Sequence, residues 1–126
     1  PALISYINSS RSVEDIQSAN IIGSTIESCL EDEEIYSAAQ SLDGICIDYD
    51  YDTWINSGNA FEEEVADLVG SGITMKNPRL AYTNFDQKFY VVIDWYNKDV
   101  TVYTSGYENP DYEAYPNIGS EIDKYN

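Results

Sequence analysis

The residues with the most chemical potential in this 126-residue chain are acids, and the alternating run Asp48-Tyr49-Asp50-Tyr51-Asp52 arranges three of them most suggestively. Aspartates at every second position are how an EF-hand calcium loop begins. Laid on that template from Asp48, the glycine position falls on Thr53 and the bidentate-acid position on Asn59, so the template fails at both. Alternation in an extended strand also explains the run, with Asp on one side and Tyr on the other. Asp48, Asp50 and Asp52 therefore stand as calcium-ligand candidates only, and the expectation is no metal and no cofactor. Glu62-Glu63-Glu64 is the other acidic cluster. At helical spacing these residues fan out over solvent, with nothing to raise a pKa toward acid–base chemistry, so they read as structural.

Nucleophilic chemistry finds no support. The chain contains no histidine, which excludes Ser-His and Cys-His activation. It shows neither a glycine-rich phosphate loop nor a Cys/His zinc pattern. We expect no enzymatic activity. The two cysteines, Cys29 and Cys46, form a candidate disulfide closing a loop of about 17 residues, worth about 3 kcal/mol in the chain-entropy model. Two small buried thiols account for them equally well.

Composition narrows the partners. Six basic residues against 23 acidic ones give a formal charge of −17. Phosphate backbones are bound by Lys and Arg that release counterions, so no nucleic-acid partner is expected; an anionic membrane surface is disfavoured for the same reason. Between Arg11 and Lys76 lie 15 of the acids and no basic residue, a pattern of solvated surface. An acidic inhibitor or immunity-type protein presenting carboxylates to a basic partner fits this charge, which would steer association. No run approaches the length of a membrane span.

The elements that position these residues begin with the first thirty-odd. Ile16, Ala19, Ile22, Ile26 and Leu30 recur at three- and four-residue steps and make one helical stripe, expected to pack on a sheet. Leu3, Ile4 and Ile7 lie roughly a third of a turn away, beyond the polar stretch Asn8–Ser12. A helix over 1–36 is the expectation. One starting at Ser12, with Ser12 and Asp15 as an N-cap pair, is the alternative. The acids Glu31–Glu34 sit badly at a helix C-terminus, where they oppose the macrodipole.

A connecting segment, 37–78, follows. Within it Ser41-Leu42-Asp43-Gly44 reads as a turn and Ile45-Cys46-Ile47 as an extended piece. A short helix over 59–69 is capped by Asn59 with Glu62 completing the box, faces inward through Phe61, Val65 and Leu68, and is stopped by Gly70. Period-two patterning over 79–105 predicts three antiparallel strands, Arg79–Asn84, Lys88–Tyr96 and Val100–Ser105. Asn97-Lys98 is the expected hairpin loop. Phe89, Val91, Ile93 and Trp95 share the inner face. The tail, 106–126, reads as an irregular wrap whose tyrosines pack on their own domain. The fold class is α+β: a long N-terminal helix on a small antiparallel sheet, in a single domain spanning 1–126.

The opening Pro1-Ala2-Leu3-Ile4-Ser5-Tyr6-Ile7, followed by a polar stretch and Val13-Glu14-Asp15-Ile16, resembles the segment after the hydrophobic N-terminus of type IV pilins. The match covers about twenty residues, and the order of elements that follows is also the family's. The processing site and its glutamate are not in the sequence. The resemblance implies a globular pilin domain without its leader and apolar half-helix. It implies a structural filament subunit serving adhesion, twitching motility or biofilm formation, displayed on the cell surface and membrane-anchored before assembly through the missing segment. Pro1, Leu3, Ile4, Tyr6 and Ile7 would carry filament assembly, with other copies of the chain and other pilins as partners. A minor pilin, or a pseudopilin of a secretion or competence system, shares this architecture. The cysteine pair near the helix end departs from the C-terminal pair common in Gram-negative pilins. The bias toward Ile, Asn, Tyr, Asp and Lys over Arg is of the kind found in low-GC Gram-positive bacteria.

Overall fold

A computed structural model describes residues 2–42, 46–80 and 88–125, leaving the side chains of residues 2–8, 46, 47 and 78 outside the description. Helix α1 runs unbroken from Ala2 to Leu30, about 43 Å at 1.5 Å per residue. It does not start at Ser12. It stops at Leu30 rather than continuing to Tyr36, and the acids that looked misplaced explain why. Asp32 caps a new helix, α2 (Glu33–Gln40), accepting hydrogen bonds from the amides of Glu34 and Ile35 at 3.0 and 3.2 Å. Glu33 and Glu34 thus sit on a positive helix start instead of a negative helix end.

Among the described residues the sheet has four antiparallel strands in sequence order: β1 (Cys46–Asp48), β2 (Tyr90–Asp94), β3 (Asp99–Tyr103) and β4 (Glu113–Tyr115). Two of them lie outside the expected 79–105 block. Of the expected first strand, Arg79 belongs to a 3-10 turn, Pro78–Leu80, and residues 81–84 are outside the described residues. The edge beside β2 is instead filled by β1, pairing Cys46 with Val92 and Asp48 with Tyr90. The tail is not merely a wrap. It supplies β4 on β3 and a last helical turn, α5 (Ser120–Asp123), that buries Ile122.

The β2–β3 connection is longer than the two residues expected. Asp94 pairs with Asp99, leaving Trp95–Lys98 as the loop. The Asp94 carboxylate accepts the amides of Tyr96 and Asn97, and Lys98, not Asn97, adopts positive φ, at 58°. The inner-face assignment holds: Phe89, Val91 and Ile93 are buried and Trp95 packs at the edge of the core.

Helix α1 lies across β3 and β4 and against α4 (Ala60–Val69), with Ala19, Ile22, Ile26 and Leu30 fully buried and Ile16 half-buried. This is the stripe the spacing predicts. Gly23 lets the helix come close to the sheet edge, because a Cβ there would run into the Tyr115 ring. Helix α4 is capped by Asn59, whose Oδ1 accepts the amides of Phe61 and Glu62, and it ends at Gly70 with φ 87°. Glu63 rather than Glu62 reaches back, accepting the Gly58 amide at 2.9 Å. Leu68 is not on the buried face. Packing against both α1 and α2 turns Phe61, Val65 and Ala66 inward and leaves Leu68 58% exposed.

Candidate functional site

Toward the N-terminus, the described buried stripe of α1 ends in a polar anchor. Going backward along the buried stripe, Ala19 is followed by Asp15 and Ser12, both fully buried. The two Asp15 carboxylate oxygens accept the backbone amides of Lys76 and Asn77, at 2.6 and 2.8 Å. Asn77, also fully buried, donates its side-chain amide to Ser12 Oγ at 2.9 Å and accepts the Arg79 amide at 3.1 Å. The end of the connecting segment is thereby fastened to α1 through hydrogen bonds 60 or more residues apart in sequence. Burial pushes the Asp15 carboxyl up to about 6, against the two backbone N–H groups and Lys76, which pull it down; Glu14 pushes it further up. Burial wins.

Before Ser12 no described α1 side chain is buried: Ser9 is half-exposed, and Ser10 and Arg11 are exposed. Leu3, Ile4, Tyr6 and Ile7 are helical in backbone, with side chains outside the described ones, and Pro1 lies outside the described residues altogether. The pairing of helix and sheet was visible in the sequence. The anchor was not, although a polar Asp15 and Ser12 at stripe positions signalled it.

The calcium candidates do not converge. Asp48 ends β1, whereas Asp50 precedes a helical turn, α3 (Tyr51–Trp54), that carries Asp52. The expected extended run breaks there because the turn buries Trp54 edge-on against Tyr49, with ring centroids 5.2 Å apart, and beside Phe61 at 6.0 Å. Asp50 Oδ2 is taken by Lys88 at 3.1 Å and Thr53 at 2.7 Å, and Thr53 together with Lys88 holds its carboxyl below the usual range. Among the described residues no three His, Cys, Asp or Glu side chains are grouped to hold a metal ion. Tyr49 is buried, donates its hydroxyl to the Gly70 carbonyl at 3.1 Å, and is pushed up to about 12 by that burial.

Cys29 is a free, buried thiol, pushed up to about 11 by burial and by the nearby carboxylates of Glu64 and Asp32. The expected partner sulfur of Cys46 lies outside the described side chains. Above Cys29 opens a groove of about 300 Å³ between α1, α2 and α4, lined by Ser28, Asp32, Ile35, Glu64 and Leu68. In the tail, Tyr115 and Tyr125 pack against the core and Tyr107 is 41% exposed.

No family model, curated protein or solved structure matches this chain. No helix among the described residues is long and apolar enough to cross a membrane.

Proposed function

We propose that this chain is the globular part of a filament subunit of the type IV pilin kind, a structural protein rather than an enzyme. The observation that carries the reading is the division of α1. The described part of its core-facing stripe ends at Ser12 and Asp15, which accept hydrogen bonds from Lys76 and Asn77, yet the helix continues to Ala2. That leaves about ten residues, or about 15 Å of rod, ahead of the anchor. By helical spacing, positions Leu3 and Ile7 fall a third of a turn or more from the centre of the stripe that faces the sheet, and Ile4 falls at its margin, five turns before Ile22. Apolar residues on a separate line of a helix are what a second packing partner requires. In a polymer that partner is the same helix of neighbouring copies. Pro1, Leu3, Ile4, Tyr6 and Ile7 would then form the assembly surface, with the acidic domain displayed outward.

The −17 charge fits display on a filament surface, since like-charged outer faces keep neighbouring filaments apart. Minor pilins and pseudopilins fall under the same reading. Antibodies raised against this domain, applied with gold label to cells of the source organism, test it. Labelled surface filaments are the expected result. Label confined to the cell body or the medium, with filaments bare, would overturn it.

A further inference from the structure

Charge on this molecule is unevenly placed along α1. Three of its six basic residues gather around the Ser12–Asp15 anchor. Arg11 immediately precedes the buried Ser12, the Lys76 amide is held by Asp15, and the Arg79 amide is held by Asn77. All three side chains are exposed. The opposite end of α1 is acidic: Glu31, Asp32, Glu33 and Glu34 are exposed there, and α4 brings Glu64 alongside. Between these acids lies the groove above Cys29, whose wall includes the exposed Leu68 and the half-buried Ile35.

Arg11 and Cys29 are eighteen residues apart on one continuous helix. At 3.6 residues per turn that is five turns, so both lie on the same side of α1, about 27 Å apart along its axis. No single copy brings the two together. A neighbour set beside it and displaced by that distance does. We propose that the groove formed by Cys29, Ile35 and Leu68 and rimmed by Asp32 and Glu64 receives the Arg11–Lys76–Arg79 collar of a second copy, making a head-to-tail contact. This deepens the filament reading and rests on it, naming the contact between globular domains.

The chemistry of the two surfaces matches. An arginine stem covers apolar surface while its guanidinium reaches a carboxylate, which suits Leu68 beside Glu64. The contact is heterologous, because collar meets groove and not collar, and such contacts build an open helical array unless their rotation closes a ring. The long-range repulsion of two chains each carrying −17 opposes association. At about 0.15 M salt the Debye length is about 8 Å, so distant charges are screened while the collar–groove pairs persist.

Sedimentation equilibrium of the domain at that salt, up to millimolar concentration, tests the contact with Arg11→Glu and Glu64→Arg, two exposed positions whose folding is checked by circular dichroism. The wild type is expected to self-associate progressively, and each variant alone at least tenfold more weakly. An equimolar mixture pairs the intact collar of one variant with the intact groove of the other and sets the two reversed charges against each other, so it should recover association toward that of the wild type. A wild type that stays monomeric, variants that associate like the wild type, or a mixture no stronger than its components would each overturn the contact. The labelling of surface filaments is read separately. Labelled filaments combined with any of these results would remove this contact and leave the filament reading standing.

Discussion

Replacing Asp15 with Asn should change how the stability of this protein depends on pH. In the folded chain the Asp15 carboxyl is fully buried and raised from 3.8 to about 6 by that burial. Between about pH 4 and pH 6 the folded chain keeps a proton on Asp15 that the unfolded chain has already released. Stability therefore falls as pH rises through this window, the penalty being absent below it and constant above it. At 1.36 kcal/mol per pH unit the gap is worth up to about 3 kcal/mol. Asn cannot titrate, so the penalty disappears from the variant. It also presents a donor to one of the two amides of Lys76 and Asn77, a loss of about 1 kcal/mol or more that does not vary with pH. The sum of the two at any single pH is therefore uninformative, and the slope is the quantity to measure. Urea unfolding of both proteins at pH 4, 5, 6 and 7 gives it, with the other acids cancelling in the difference. The stability of the variant relative to wild type should rise by about 3 kcal/mol from pH 4 to pH 7. Parallel pH profiles would refute the claim that burial dominates at this carboxyl.

Gly23→Ala should destabilise despite the better helix propensity of alanine, because the new methyl group meets the Tyr115 ring. Overpacking of about 1–3 kcal/mol exceeds a propensity gain of about 1 kcal/mol, and urea unfolding in a Tyr115→Ala background should reverse the sign. Asn59→Ala removes the cap of α4 and its side-chain bond to the Ala38 carbonyl of α2; thermal unfolding should report a loss of about 1–2 kcal/mol. Cys29, buried and raised to about 11, should resist iodoacetamide at pH 8 in the folded protein and react once the chain is unfolded in urea. Peptide mapping by mass spectrometry reads this site apart from Cys46, and rapid labelling of Cys29 in the native state would contradict its burial.

The helix-on-sheet plan was legible because it rests on periodicity. The stripe from Ile16 to Leu30 and the alternation from Phe89 to Ile93 each present one apolar face, and the two faces meet in the core. Boundaries set by local capping were harder to read. Asp32 looks like a misplaced acid until it is seen as the start of α2, and the choice between those readings depends on where α1 breaks. Strand partners were least legible. Cys46–Asp48 and Glu113–Tyr115 are too short for alternation to stand out, and their places are set by pairing with β2 and β3. The Asp48–Asp52 run misled because burying Trp54 overrides its alternating pattern. The anchor joins residues 61, 62 and 65 positions apart, and no local pattern reports such a distance. Its trace in the sequence was two polar residues occupying apolar stripe positions.

The filament proposal turns on the front of α1, and one measurement addresses it most directly: filaments per cell, counted by electron microscopy, for the full-length protein carrying Leu3→Asp and Ile7→Asp. Both residues precede the Ser12–Asp15 anchor, so the domain should fold and be produced at wild-type levels while filaments are lost. Filaments of unchanged number and length on those cells would contradict the account.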